Sequence, residues 1–160
     1  KTLPYVRQGR MIIVLRTFSK IYGLAGLRIG YGVGKSELIE FMERIRPPFN
    51  TNSLAQVAAL ASLSDESHVR KSRDLVDKEK SYLEESLEKL AIEFVPSVTN
   101  HILLKVGNGQ NVFEKLLRKG IIVRPMEEYD FPEYIRVTIG FPQQNRRFIN
   151  ALKEVLNRRS

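Results

Sequence analysis

The sequence contains no cysteine, only two histidines and no long apolar segment. The absence of cysteine excludes disulfides, thiolate catalysis and cysteine-ligated zinc, and it fits a reducing compartment, so we expect a cytoplasmic protein. No apolar run approaches the roughly 20 residues that a membrane-spanning helix requires. The opening segment KTLPYVRQGR also lacks the apolar core of a signal peptide. We therefore expect no membrane partner.

The two histidines, His68 and His101, have no companion ligand at metal-binding spacing. We interpret both as ordinary surface or strand residues, and we predict no metal site. Two unconnected histidines also give no basis for a Ser-His-Asp triad.

The chain has a net charge of +8, with 26 basic against 18 acidic residues. A basic excess can indicate an anionic partner such as nucleic acid. Here, however, basic and acidic residues alternate between Lys71 and Lys89, which is typical of a solvated helix face. We therefore predict no nucleic-acid partner. A non-catalytic basic α+β module that binds nucleic acid or a protein stays open as the alternative.

The pattern of the first half predicts an α/β arrangement. The continuous apolar run Met11–Leu15 predicts a strand buried on both faces of a parallel or mixed sheet, and residues 27–33 predict a second strand. Ser36, then Asn52 or Ser53, are predicted helix caps, and Asp65 is predicted to cap a long charged helix that ends near Ala91. Such a helix is suited to bridge two domains.

After Ile92 the pattern changes to short strands alternating with helices, which predicts an α+β unit. Its strands are predicted at residues 93–96, 101–106, 121–124 and 134–139, and its helices at 112–118 and 143–157. We therefore predict two domains, residues 1–91 and residues 92–160. The chain does not begin with methionine and runs directly into a buried-looking strand, so we expect part of a longer protein.

The segment RTFSKIYGLAGLRIGY, residues 16–31, combines hydroxyls, a lysine and an arginine after the first predicted strand. Ligands of α/β proteins bind beyond the carboxyl ends of strands. Thr17, Ser19 and Arg28 are suitable phosphate ligands there. Lys20, beside such an anion site, can act as an amine nucleophile that forms a Schiff base. Together they suggest an aldehyde cofactor that bears a phosphate, such as pyridoxal 5'-phosphate. An ordinary loop in which the glycines only serve turns is the alternative.

This segment closely resembles the lysine motif S-K-x-x-x-x-x-G-x-R-x-G-Y of fold-type I, pyridoxal-phosphate-dependent aminotransferases, with wording most similar to the histidinol-phosphate aminotransferase family. The resemblance implies that Lys20 is the Schiff-base lysine and that Thr17, Ser19 and Arg28 hold the cofactor phosphate. It implies an α/β fold, the C-terminal portion of a fold-type I transferase. Residues 1–91 would complete part of the large cofactor-binding domain, and residues 92–160 would form the small domain.

The segments RPPFNTNSLAQVAALASL, GIIVRPM and YIRVTIGFPQQNRRFINAL are also similar to this family. The resemblance implies that Arg136 grips the acidic group of the substrate and that Arg124 contacts the phosphate of histidinol phosphate. A simple ion pair with Glu127 or Glu128 is the alternative for Arg124. Strand alternation predicts that Arg136 faces away from Ile135 and Val137.

The family resemblance implies transfer of an amino group between L-histidinol phosphate and 2-oxoglutarate, in histidine biosynthesis, by a cytoplasmic homodimer. Threonine-phosphate decarboxylase and other amino-acid aminotransferases share the motif and stay open. The family's upstream residues that contact the cofactor ring have no counterpart in these 160 residues. We therefore expect the isolated chain to be a poor or inactive catalyst.

Overall fold

The computed structural model describes residues 2–157, which form an α/β arrangement. The helices are α1 (Leu3–Arg7), α2 (Ser36–Ile45), α3 (Ser53–Leu63), α4 (Glu66–Lys89), α5 (Gly109–Arg118) and α6 (Pro142–Val155). The strands are β1 (Val14–Thr17), β2 (Gly30–Val33), β3 (Phe94–Val95), β4 (His101–Lys105), β5 (Arg124–Pro125) and β6 (Tyr134–Thr138). Within the described part of the chain, no helix is both long and apolar enough to cross a bilayer.

The chain divides into two compact units, Lys1–Ser72 and Arg73–Ser160, so the division falls inside α4. We predicted it after residue 91, at the end of this helix. The division lies earlier because Leu83 and Leu87 of α4 are fully buried in the apolar core of the second unit. Helix α4 thus contributes to both units.

Strands β1 and β2 of the first unit form a two-stranded antiparallel sheet. The strand predicted at Met11–Leu15 begins later in the structure, at Val14. The prediction that it is buried on both faces is wrong, because Val14 is the one buried residue of β1 and Leu15 is 70% exposed. A sheet of two strands offers too little neighbouring structure to cover both faces of either strand. The second predicted strand starts late, at Gly30, because residues 25–27 form a 3-10 turn.

Local side-chain chemistry explains where two helices of the first unit begin. The side chain of Asn52 accepts a hydrogen bond from the backbone N–H of Ala55 at 2.8 Å and caps α3. Asp65 Oδ1 accepts one from the N–H of His68 at 2.9 Å, at the start of α4. Both pairings satisfy amides that a helix leaves unpaired in its first turn. Ser36, predicted as a cap, is instead the first residue of α2, and Lys35 precedes it with extended backbone.

The second unit contains a four-stranded antiparallel sheet in the order β3-β4-β6-β5. The chain passes from β4 through α5 to β5, and β6 later pairs with both strands. This arrangement leaves β6, the strand that carries Arg136, between two neighbours.

One face of this sheet is packed and the other is open. Ile135 and Val137 of β6 are buried, whereas Tyr134, Arg136 and Thr138 alternate with them on the opposite face, as predicted. Helices α4, α5 and α6 supply apolar side chains to the packed face. Their fully or nearly fully buried residues include Leu83, Leu87, Val112, Leu116, Phe148 and Leu152.

One buried polar pair accompanies this core. Glu79 of α4 and Asn145 of α6 are 4% and 2% exposed. Asn145 Nδ2 donates to Glu79 Oε2 at 2.8 Å and to the carbonyl of Gly140 at 2.9 Å, and its Oδ1 accepts from the N–H of Gly140 at 2.9 Å. The pair therefore fastens the β6–α6 turn to α4.

Candidate active site

Lys20 lies in the loop that joins β1 to β2, and backbone hydrogen bonds make this loop compact. The N–H of Phe18 donates to the carbonyl of Ile29 at 3.2 Å, and that of Leu24 donates to the carbonyl of Phe18 at 3.0 Å. The N–H of Gly23 closes a tight turn on the carbonyl of Lys20 at 2.9 Å. Gly23 has φ +71°, a conformation that glycine adopts without steric cost. The backbone on both sides of Lys20 is thereby fixed.

Aromatic packing anchors the same loop. The side chain of Phe18 is 4% exposed, and its ring lies 5.0 Å from that of Tyr22 and 5.9 Å from that of Tyr31, between centroids. These tilted arrangements are favourable for aromatic pairs. Phe18 therefore points inward while Lys20, two positions later, stays exposed.

The polar groups around Lys20 are available to a ligand. Thr17 Oγ1 accepts a hydrogen bond from the N–H of Ser19 at 3.0 Å, so the hydroxyl hydrogen of Thr17 can still be donated elsewhere. The Lys20 ammonium forms no hydrogen bond or ion pair with another residue of the described range 2–157. A free primary amine next to hydroxyl donors suits a ligand that carries both an anion and an electrophile.

Arg28 is brought towards these residues by the pairing of the two strands. Thr17 is the register partner of Gly30, two positions after Arg28. A Cβ at Gly30 would lie 2.6 Å from the carbonyl oxygen of Arg16, so only glycine permits this close approach. Arg28 itself adopts φ +56°, and its Nη1 donates to the carbonyl of Ala25 at 2.7 Å. The guanidinium keeps further N–H groups for an anion.

The two predicted substrate-binding arginines lie side by side in the second unit. Arg124 of β5 and Arg136 of β6 are direct register partners, so their side chains share the open face of the sheet. Arg124 is also paired with Glu128, with Nε at 2.9 Å from Oε1, and stands over the ring of Tyr129. The hydrogen bond to Glu128 raises the pKa of Arg124. Arg124 thus forms the ion pair with Glu128 that we gave as the alternative to ligand binding. An anionic ligand would have to compete with Glu128 for the guanidinium of Arg124.

Sequence reasoning missed one contact of this site. His68 Nε2 lies 3.0 Å from the carbonyl oxygen of Ile21, the residue after Lys20. We had interpreted His68 as an ordinary surface residue, because its partner is 47 positions away and no local pattern reveals such a pairing. Two surface depressions of the second unit, one around Asn108 and Glu114 and one around Arg147 and Glu154, are lined by other residues than the predicted site residues.

Comparison with known proteins identifies the family to which this fold belongs. Residues 2–152 match the model of the family described as aminotransferase class I and II. A match over nearly the whole chain defines an α/β aminotransferase fold, and the lysine motif lies within it. The chain belongs to the aminotransferase class I and II family.

Two curated relatives are histidinol-phosphate aminotransferases. That of Moorella thermoacetica is 50% identical over 97% of this chain and 41% of its own length. That of Akkermansia muciniphila is 47% identical over 97% of this chain and 43% of its own length. The chain therefore spans well under half the length of the curated relatives that it matches.

Two solved structures share the fold. The histidinol-phosphate aminotransferase of Sinorhizobium meliloti, in complex with pyridoxal-5'-phosphate, has a TM-score of 0.80 and 25% identity, over 91% of this chain and 41% of the other. The L-threonine-O-3-phosphate decarboxylase of Porphyromonas gingivalis has a TM-score of 0.84 and 26% identity, over 97% of this chain and 50% of the other.

Proposed function

We propose that the protein to which these residues belong transfers an amino group between L-histidinol phosphate and 2-oxoglutarate with pyridoxal 5'-phosphate as its cofactor. The observation that carries the proposal is the exposed amine of Lys20, in a hydrogen-bonded loop whose sequence also supplies Thr17, Ser19 and Arg28. The identity of about half the positions to histidinol-phosphate aminotransferases supports this substrate. We also propose that the protein is a cytoplasmic homodimer, as the family resemblance implies.

The residues present fit the proposed cofactor. Lys20 offers a primary amine to an aldehyde, and Thr17, Ser19 and Arg28 offer hydroxyl and guanidinium donors to a phosphate. Pyridoxal phosphate, when bound, supplies an electron sink for the bonds at the substrate α-carbon. None of these donors is sequestered by an acidic residue of the described range.

The chain's own residues would then divide the work as follows. Lys20 Nζ would hold the cofactor covalently, and its amine would be the base and acid that moves the proton at the substrate α-carbon. Arg136 on the open sheet face binds the acidic group of the substrate by a bidentate, charge-assisted contact. Arg124 is the register partner of Arg136 and is the second contact for an anion. It binds the ligand after its hydrogen bond to Glu128 breaks.

A decarboxylase acting on threonine phosphate is the second candidate. Its support is the likeness to the Porphyromonas gingivalis enzyme over 97% of this chain. Both substrates bear a phosphate, so both would use the paired arginines. A panel of the two substrates separates them, because carbon dioxide is released in decarboxylation and not in transamination.

The first prediction concerns Lys20. With added pyridoxal phosphate, the protein should show a visible absorbance band that borohydride abolishes, and peptide mass spectrometry should locate the reduced adduct on Lys20. Lys20→Ala should lose this band completely because it lacks the amine. The matched control is Lys35→Ala, which removes another lysine of the first unit that is already paired with Glu37 at 3.0 Å, and it should keep the band. An equal band in Lys20→Ala would refute the assignment.

A further inference from the structure

Among residues 2–157, His68 is the one residue outside the β1–β2 hairpin that forms a hydrogen bond with the backbone of the Lys20 turn. The other hydrogen bonds of residues 18–24 are made within the hairpin, from residues 17 to 29. His68 projects from the first turns of α4, and its Nε2 lies 3.0 Å from the carbonyl oxygen of Ile21. It therefore links the reactive loop to a long helix.

The chemistry of the contact fixes the direction of this hydrogen bond. A carbonyl oxygen only accepts, so His68 Nε2 carries the hydrogen and donates it. Ser72 Oγ, at 3.5 Å from the same nitrogen, is the more distant of its two neighbours. Neutral imidazole with hydrogen on Nε2 and charged imidazolium both serve as this donor, so the link persists whichever form is present.

The helix itself makes His68 a defined support. The N–H of His68 donates to the Asp65 side chain at 2.9 Å, so the capped start of α4 fixes the backbone from which the imidazole projects. Asp65 also lies next to the end of α3, through its N–H bond to the carbonyl of Ser62 at 3.2 Å. The position of His68 thus depends on two helices rather than on the loop that it contacts.

We infer that His68 is a positioning residue that holds the Lys20 turn in place through its hydrogen bond to the Ile21 carbonyl. The inference rests on the proposed function of Lys20. A reactive amine must be held within a fraction of an ångström of its productive position, and such precision comes from hydrogen bonds to neighbouring supports. The hairpin bonds fix the turn's shape, whereas His68 fixes where the turn lies against α4.

The experiment compares His68→Ala with His68→Gln in the full chain, with two readouts. One is amide hydrogen exchange of Gly23 and Leu24, whose N–H groups close the turn. The other is the share of borohydride-trapped pyridoxyl label found on Lys20 relative to Lys35. His68→Ala should raise the exchange about fivefold and lower the share on Lys20 by about the same factor, the ratio expected for one net hydrogen bond. His68→Gln should bring both the exchange rate and the share of label on Lys20 most of the way back to their original values. The glutamine side chain carries an amide N–H that can donate to the Ile21 carbonyl in place of the imidazole.

Two controls exclude a general loss of structure. Arg70→Ala alters an exposed neighbour on α4 and should leave both readouts at their original values. The amides of β4, in the second unit, should keep their protection in every variant.

Each outcome decides one of the two proposals. If His68→Ala matches the original protein in both readouts, or if His68→Gln behaves like His68→Ala, the positioning role is overturned. Faster exchange with unchanged selective labelling of Lys20 also overturns it. If the original protein shows no preference for Lys20, the proposed function fails, and the exchange measurement alone decides whether His68 holds the turn.

Discussion

The two units of the chain differ in how much apolar surface they bury. The second unit encloses a continuous core of sixteen buried apolar residues, from Leu83 to Leu152. In the described part of the first unit, residues 2–72, the buried apolar residues are Val14, Phe18, Ala55 and Ala59. The same unit exposes large apolar side chains, including Leu15, Ile45, Phe49, Leu54, Val57 and Leu60. The unit that carries Lys20 therefore draws little stability from its own core, whereas the unit that carries Arg124 and Arg136 is stabilised internally.

The largest expected effect comes from opening a cavity in the second unit. Leu152→Ala removes a fully buried side chain and should lower the free energy of unfolding by about 2–5 kcal/mol. Leu54→Ala in α3 removes a leucine that is 75% exposed and should change it by less than about 0.5 kcal/mol. Urea denaturation followed by far-ultraviolet circular dichroism measures both. Equal losses would break the contrast between the units.

The next effect comes from the polar pair of the same core. Asn145→Leu leaves the buried carboxylate of Glu79 without the amide that donates to it, and should cost about 1–3 kcal/mol. Glu79→Gln is the control, because its side-chain oxygen can still accept from Asn145, and it should cost less. The same denaturation measurement applies. If the two variants were equally stable, the pair would not contribute through this hydrogen bond.

A smaller effect is expected in the first unit, at the turn after Lys20. Gly23→Ala places a side chain on a residue with φ +71° and should destabilise the loop by about 1 kcal/mol. Gly26→Ala is matched, since an added Cβ meets no atom within 4 Å at either position and only Gly23 has positive φ. Amide exchange of residues 18–24 reports the difference. Equal exchange in both variants would show that backbone conformation does not limit the stability of this loop.

The smallest effect concerns Arg124. Glu128→Gln removes the carboxylate whose hydrogen bond raises the pKa of Arg124, so phosphate no longer competes with this carboxylate for the guanidinium. The affinity for inorganic phosphate should rise by a factor of only about two to five, because ion pairs between exposed side chains are weak. Nuclear magnetic resonance of the Arg124 Nε–H during a phosphate titration measures this affinity. Glu127→Gln, at a neighbouring acidic residue, is the control. Weaker binding in Glu128→Gln would show that Glu128 helps to orient Arg124 for the anion.

Features governed by local chemistry were predictable from the sequence. Asn52 and Asp65 begin helices because their side chains pair with amides three residues ahead, and such spacing is visible in a sequence. The lysine motif was likewise visible, and it predicted a family that the comparison confirmed.

Features that depend on distant neighbours were not predictable. The apolar run Met11–Leu15 indicates a strand that is buried on both faces. Burial, however, depends on which elements pack against the strand, and Leu15 is exposed in the structure. The contact of His68 with Ile21 links positions 47 apart and has no local signature. The roles of the site residues towards ligands stay predictions, namely those of Thr17, Ser19, Lys20, Arg28, Arg124 and Arg136.

The placement of β6 in the sheet has a consequence for how the second unit is made. In the described sheet, β5 pairs with β6 alone, and β6 is the strand that lies between β4 and β5. On the ribosome, β4, α5 and β5 are therefore synthesised before the strand that unites them exists. The sheet can close only when residues 134–138 have emerged, so folding of this unit should be a late and concerted event that depends on contacts distant in sequence.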